Sequence, residues 1–236
     1  MDDFLLVIDT ESSALPKKWN APFNQVDKWP HVVQVSWLVY RWDGTKIKQE
    51  DHYIRRSDYG IDPSSRAIHH ISDELLLEKG ESRDIVLELL KKDLDQYRPI
   101  VIGHFVELDY KLLNVEFCRI GKNKSPLEGL PLFCTMLASV SLPYMETNRQ
   151  MRLADLYYYL FAEEQPFPHN ALYDALATAR CYFRERELLS LGPSEMLSQR
   201  PFVKDERCRR HTRVLGFVVA AAALLLLMAL VCRSFR

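Results

Sequence analysis

The sequence predicts an α/β fold: a mixed β-sheet flanked by helices, followed by a single C-terminal transmembrane helix. Strand-like segments near the N-terminus precede an alternation of strands and helices, which is typical of a mixed sheet. A separate uncharged, apolar run over residues 214–232 is long enough to cross a bilayer as a helix. The chain of 236 residues has the length of one domain with appendages.

The strands are indicated by composition and by turn residues. The first is a continuous apolar run, as in a strand buried on both faces, and the second is rich in β-branched and aromatic residues. Asp43 and Gly44 form a hairpin signal between the second strand and an alternating third strand. The predicted strands cover residues 4–8, 32–40, 46–55, 99–103 and 132–135.

The helices are indicated by apolar residues at helical spacing, such as Leu153, Leu156 and Leu160 on one face of the segment 151–161. Prolines exclude a helix immediately before His169, and Asn170 is a suitable N-cap for a final helix. One other predicted helix begins at residue 72, and two more cover 82–97 and 108–120. The predicted loops cover 15–31, 58–66 and 121–129.

Composition restricts the class of function. The net charge of −1 at pH 7 disfavours a protein that coats duplex DNA, whereas an enzyme that holds one strand end needs only local positive charge. The five cysteines include no Cys-x-x-Cys pair, so we expect reduced thiols. Acidic residues open the chain and a strand follows at once, so we expect no N-terminal signal peptide.

Four carboxylates stand at or near the ends of predicted elements. Asp9 and Glu11 lie at the end of the first strand, Asp109 follows the fourth strand, and Asp174 lies in the final helix, five residues after His169. Clustered carboxylates resist joint ionisation, and divalent cations remove that penalty. Such a cluster with one imidazole is the set of groups that two-metal phosphodiester hydrolysis requires.

Three segments together resemble the DEDDh branch of the DnaQ-like 3′-to-5′ exonucleases, which have an RNase H-like fold. Residues 9–15 read Asp-Thr-Glu-Ser-Ser-Ala-Leu, close to the family's Asp-x-Glu-Thr-Thr-Gly-Leu. Residues 103–109 resemble its Gly-His-Asn-x-x-Phe-Asp, and residues 169–175 its His-x-Ala-x-x-Asp-Ala. The resemblance covers roughly residues 3–190. Two positions depart from the pattern, Ala14 and Phe105, and neither is a metal-ligand position.

The resemblance implies roles for the acidic residues and one histidine. Two Mg²⁺ or Mn²⁺ ions would be held by Asp9, Glu11, Asp109 and Asp174, at a separation of about 3.5–4 Å. His169 would act as the general base that takes a proton from the attacking water. His104 precedes Asp109 by the same spacing, so the choice of His169 depends on the order of motifs in the family.

The resemblance also implies substrate-binding positions: Thr10, Leu15, His104 and Phe105. For two of them a structural role is an equal alternative. Leu15 either contacts the terminal base or belongs to the core, and His104 either lines the groove or only stabilises the fold.

The proline-containing loop over residues 15–31 holds Trp19, Phe23 and Trp29. They form either a stacking platform, with Lys17 and Lys18 on the phosphates, or a loop packed on itself. The second alternative is favoured.

The C-terminal region divides into a basic tether over 191–213, the transmembrane helix over 214–232 and a short tail over 233–236, after an exonuclease domain over 1–190. Because few residues follow the span, we expect a tail anchor in a lipid bilayer. Four arginines precede the span and two follow it, which keeps the domain on the cytoplasmic side.

The sequence therefore predicts a membrane-anchored, metal-dependent 3′-to-5′ exonuclease whose partner is a nucleic acid with a free 3′ end, single-stranded or frayed. An oligoribonuclease-type enzyme for short RNA is one alternative. A non-catalytic, nucleic-acid-binding membrane adaptor on the same fold is another. DNA and RNA are not distinguished, because contacts to the 2′-OH cannot be read from the sequence.

Overall fold

A computed structural model describes residues 4–143 and 149–202, and these form a mixed five-stranded sheet with helices on both faces, as predicted. The strand order is β3-β2-β1-β4-β5. The pairs β1–β2 and β2–β3 are antiparallel, whereas β1–β4 and β4–β5 are parallel. The strands are β1 (Phe4–Ser12), β2 (Val32–Arg41), β3 (Lys46–Tyr53), β4 (Ile100–Gly103) and β5 (Leu132–Cys134).

The helices lie between and after the strands. The described residues also include short 3₁₀ turns at Val26–Lys28 and Ser139–Ser141. The helices are α1 (Pro63–His69), α2 (Asp73–Glu78), α3 (Arg83–Tyr97), α4 (Val106–Arg119), α5 (Thr135–Ala138), α6 (Leu153–Phe161), α7 (Ala171–Leu188) and α8 (Pro193–Ser198).

Alternate residues of β1 enter two different cores. Leu6 and Ile8 pack with the apolar residues of α3 and α4, whereas Leu5 and Val7 pack with those of α7. Since successive side chains of a strand point to opposite faces, the sheet is covered on both sides. The central strand is therefore apolar throughout its first half.

The first strand is longer than its apolar run predicts. It was expected to end at Ile8 but continues to Ser12, because β2 pairs with it as far as Ser12. Asp9 and Glu11 therefore lie within the strand rather than just beyond it. The cross-strand backbone ladder outweighs the weak strand propensity of acidic residues.

A helix occupies part of the segment that was expected to be a loop over 58–66. Asp62 accepts a hydrogen bond from the backbone N–H of Ser64 at 2.9 Å, and Pro63 is the first helical residue of α1. Proline at that position favours a helix start, since the N–H it lacks needs no partner there. The expectation treated this proline as a chain breaker and was wrong.

The predicted tether over 191–213 begins, in its described part, as packed structure. Met196 of α8 is fully buried and accepts a hydrogen bond from the hydroxyl of Tyr182 at 3.1 Å. The side chain of Gln199 accepts from the N–H of Cys134 and donates to its carbonyl, at 2.6 and 3.1 Å. The compact unit consequently extends to Pro201 rather than to residue 190.

The predicted membrane span over 214–232 lies outside the described residues, as do the remainder of the tether and the tail over 233–236. Within 4–143 and 149–202, no helix is long and apolar enough to cross a bilayer.

Candidate active site

The acidic residues are brought to one end of the sheet by three elements. Asp9 and Glu11 are two residues apart on β1, so their side chains share the face that Leu5 and Val7 present to α7. Asp174 is in the first turn of α7 itself. The strand and helix therefore direct these three carboxylates towards one another.

Asp109 reaches the same site from the opposite face of the sheet. It lies in the first turn of α4 and is only 3% exposed. Its Oδ1 accepts a hydrogen bond of 2.7 Å from the hydroxyl of Thr10, which points to the α4 side of β1. Thr10 thus fixes a carboxylate, and its hydroxyl proton is committed to that bond.

Asp174 is tied to the loop that precedes its helix. The backbone N–H of His169 donates to both carboxylate oxygens, and the side-chain amide of Gln165 donates to Oδ1. Ligand atoms of Glu11, His169 and Asp174 lie within 4.8 Å of one another. The structure therefore brings the histidine ring to the carboxylates.

Holding these four carboxylates close together in a buried site is electrostatically unfavourable when they are ionised. Burial, followed by the negative charges of Asp109, Asp174 and Glu11, raises the pKa of Asp9 well above its usual range. Burial also raises the pKa of Glu11 to about 8, of Asp109 to about 7 and of Asp174 to about 6. Several protons would have to be bound near neutral pH unless positive charge is supplied.

These residues fit divalent metal ions. Carboxylate oxygens are the ligands that Mg²⁺ and Mn²⁺ prefer, and the mutual repulsion is what a cation relieves. Carboxylate oxygens of Glu11 and Asp174 lie within 4.8 Å of each other, which is within the reach of a single ion. A monovalent cation would leave most of the repulsion among the carboxylates in place.

His169 differs from His104 in its surroundings. His169 has an exposed side chain on a backbone with φ of 65°, and the partial desolvation of its ring, followed by the charge of His70, lowers its pKa. A lowered pKa keeps the ring neutral and able to accept a proton at neutral pH.

Both ring nitrogens of His104 have hydrogen-bond partners. Its Nε2–H donates to the carbonyl of Met151 at 3.1 Å, and Nδ1 lies 2.9 Å from the hydroxyl of Thr135. Burial lowers its pKa to about 4, so it is neutral. This arrangement joins β4 to α5 and α6, and supports the structural alternative for His104.

Leu15 and Phe105 stand at the border of the site. Leu15 is 69% exposed, which contradicts the alternative that it belongs to the core. Phe105 caps α4 in the left-handed region, with φ of 64°, and its ring lies 5.6 Å from that of Trp19.

The loop before β2 is packed on itself, as favoured from its composition. Trp29 is only 4% exposed and contacts Phe23, with ring centroids 5.9 Å apart. Phe23 in turn contacts Tyr110 of α4 at 6.4 Å. Of the three loop aromatics, Trp19 makes a ring contact with a site residue, Phe105.

Sequence reasoning missed two neighbours of the site. Gln165 belongs to no motif, and its contact with Asp174 depends on the path of the loop between α6 and α7. His70 likewise belongs to none of the three motif segments, and its charge acts on His169.

Comparison with known proteins identifies the family and the fold. The family model for exonucleases, RNase_T, matches residues 6–182. No curated protein matches the chain. E. coli Exonuclease I in complex with a dT13 oligonucleotide is 15% identical with a TM-score of 0.63, covering 80% of this chain and 42% of that chain.

Exonuclease I in its apo form is 14% identical with a TM-score of 0.63, covering 84% of this chain and 44% of that chain. The zinc-bound form of the E. coli exonuclease I–ssDNA complex is 15% identical with a TM-score of 0.63, covering 79% of this chain and 41% of that chain. This chain therefore spans less than half the length of these structures, and the likeness at this identity is one of fold. The sheet and its helices have the RNase H-like exonuclease fold, and, since the family model matches most of its length, the chain belongs to the exonuclease family.

Proposed function

We propose that this protein is a metal-dependent 3′-to-5′ exonuclease that removes nucleotides from the 3′ end of single-stranded or frayed DNA. The observation that supports this best is the convergence of four carboxylates and an exposed histidine at one end of the sheet. Family membership supports nucleic-acid hydrolysis, and the motif order supports the 3′ direction.

We assign Asp9, Glu11, Asp109 and Asp174 to two Mg²⁺ or Mn²⁺ ions. Bound there, the ions would polarise the scissile phosphate, lower the pKa of the attacking water and steady the departing 3′ oxygen. The protein's own contribution is to fix the ligands. Thr10 holds Asp109, and the loop before α7 holds Asp174.

We assign His169 the proton transfer. Its ring is neutral, exposed and beside Glu11 and Asp174, so it can accept a proton from a water at the carboxylates. The backbone N–H of the same residue is bonded to Asp174. The base and the ligand are therefore positioned together.

The choice of DNA is supported by the structural relatives. Exonuclease I structures are described with dT13 and dA16 oligonucleotides. An exposed Leu15 suits the terminal base, since an apolar side chain accepts any base face. Short RNA remains the alternative substrate, and a non-catalytic adaptor the alternative class.

The test compares linear and circular substrates. The purified chain with Mg²⁺ should degrade linear single-stranded DNA and leave a circular single strand of the same sequence intact, because an exonuclease needs an end. Digestion of the circle would identify an endonuclease instead. Faster loss of a matched short RNA would favour the RNA alternative, and no digestion of either would favour the adaptor.

We also propose that residues 214–232 anchor the protein in a membrane, with the catalytic domain facing the cytoplasm. The support is the sequence itself: an uncharged apolar run with more arginines before it than after it.

A further inference from the structure

We propose that a cleft lined by lysines in the segment 14–30 binds the sugar–phosphate backbone of the single strand whose 3′ end occupies the acidic site. This inference rests on the proposed function. The cleft has a volume of about 370 Å³, within the usual range for ligand sites. We call it the lysine cleft, and its lining residues are Ala14, Leu15, Lys17, Lys18, Asp27, Lys28, Trp29 and Pro30.

A second cavity of about 420 Å³ lies beside the lysine cleft. Lys18 and Lys28 line both cavities. The second is bordered by Trp19, Pro22 and Gln25 as well. Because both cavities share two lysines, a ligand in either cavity can contact the same ammonium groups.

Charge indicates the chemistry of the occupant. The lining of the lysine cleft contains three lysines against one aspartate, Asp27, although the whole chain has a net charge of −1. The ammonium of Lys28 donates to the side-chain oxygen of Gln25, which leaves two of its protons for a further acceptor. A local excess of positive charge on a neutral protein fits a polyanion.

The apolar part of the lining separates a nucleic acid from a simple anion. Leu15, which is 69% exposed, contributes to the wall of the lysine cleft, and the half-buried Trp19 contributes to the second cavity. Sites for single strands combine positive charge for the backbone with apolar or aromatic surface for bases and sugars. Lysines alone would accept any phosphate.

Hydrogen bonds from one arginine side chain fix the backbone of the loop that forms the lysine cleft. The guanidinium of Arg119, at the end of α4, donates to the backbone carbonyls of Val26, Trp29 and Pro30 at 2.8, 2.8 and 3.1 Å. Arg119 is itself paired with Glu116, which is fully buried. A loop fixed in this way loses little conformational entropy when a ligand binds.

Two links connect the cleft with the elements that carry the acidic residues. Leu15 follows Glu11 by four residues along the chain that leaves β1. Trp19 packs on Phe105, which caps the helix that supplies Asp109. A strand that leaves the acidic site in this direction would pass Leu15 and reach Lys18 and Lys28.

The experiment measures the salt dependence of binding. The full chain carrying Asp174→Asn, which prevents cleavage, is titrated onto a fluorescent single-stranded deoxyoligonucleotide at several salt concentrations. Lys17→Gln, Lys18→Gln and Lys28→Gln are then added together. If all three lysines contact phosphates, the slope of log affinity against log salt falls in magnitude by about 2.

The matched control changes three exposed lysines outside the cleft, Lys79→Gln, Lys92→Gln and Lys124→Gln. It alters the net charge equally, but its lysines lie outside the cleft. The slope of log affinity against log salt should therefore stay nearly unchanged. Equal slopes for both triple variants, or no change in either, would overturn the proposal. If the cleft triple variant does not fold, Lys18→Gln alone should lower the slope by about 0.7.

The binding result is independent of cleavage. A reduced slope in the cleft variant, together with a wild-type protein that cleaves nothing, would support the cleft and refute the exonuclease. An unchanged slope in the cleft variant, with a wild-type protein that does cleave, would refute the cleft alone.

Discussion

The backbone N–H of His169 donates to both carboxylate oxygens of Asp174, at 3.3 and 3.2 Å. His169 takes a left-handed backbone conformation, with φ of 65°, at the residue before the N-cap of α7. A non-glycine residue in that conformation is held there by its surroundings. The proposed base and a proposed metal ligand are thus coupled through one backbone group, so a shift of either displaces the other.

Asp9→Asn should abolish nearly all Mg²⁺-dependent cleavage. In chelator the same variant should unfold at a higher temperature than the wild type, because it removes one of four mutually repelling buried carboxylates. Activity and thermal unfolding are measured on the same preparation. Asp155→Asn, an exposed carboxylate outside the site, is the control and should change neither. Wild-type activity in Asp9→Asn would refute its role as a ligand.

Without metal, the free energy of unfolding should fall as pH rises from about 6.5 to about 8, above the range in which His104 and the other histidines of lowered pKa bind fewer protons in the folded state than in the unfolded state. Glu11, Asp109 and Asp174 have folded-state pKa values of about 8, 7 and 6, above the values near 4 of unfolded chains. In that window the folded state binds more protons than the unfolded state, so each rise in pH destabilises it.

Saturating Mg²⁺ should remove most of this pH dependence, since the ions replace the protons. Denaturant titrations at several pH values, with Mg²⁺ or with chelator, measure both curves. Stability that rises with pH in chelator over this range would show that the carboxylates do not repel one another as described.

His169→Ala should lower turnover by about 10²–10⁴-fold, the usual share of general-base catalysis. His104→Ala should cost clearly less turnover and more thermal stability, because both ring nitrogens of His104 hold neighbouring segments. Single-turnover kinetics and thermal unfolding of the two variants give the comparison. The reverse ranking of turnover would assign the base to His104.

The full-length chain should pellet with membranes and resist carbonate extraction, whereas residues 1–205 should stay in solution and still cleave. The compact unit ends at Pro201, so the truncation retains the whole described core. Protease added outside sealed cells should leave the domain intact. Full-length protein found in the soluble fraction would refute the membrane anchor. Digestion of the domain in sealed cells would refute the proposed orientation.

The sequence predicted those features of the site that depend on local pattern. The sequence placed Asp9 and Glu11 together at the end of the first strand, and because β1 continues to Ser12 their two-residue spacing puts both on its α7 side. The prolines before His169 and the N-cap at Asn170 fixed the start of α7, and Asn170 indeed accepts from the backbone N–H of Leu172 at 3.2 Å. Spacing along one element was sufficient there.

Features that depend on distant contacts were not predicted. The extension of β1 to Ser12 requires the partner strand, and the packing of α8 requires Tyr182 and Cys134. Gln165 reaches Asp174 only because the loop before α7 folds back. None of these contacts has a periodicity or motif in the sequence, so pattern analysis had no signal to detect.

The end from which a labelled strand is shortened tests the 3′-to-5′ exonuclease most directly. A linear single strand labelled at its 5′ end is incubated with the purified chain and Mg²⁺, with chelator, and with Asp174→Asn. We expect a ladder of progressively shorter 5′-labelled products with Mg²⁺ only, and none with the variant. Immediate release of the 5′ label as a mononucleotide, or an unchanged ladder in chelator, would contradict it.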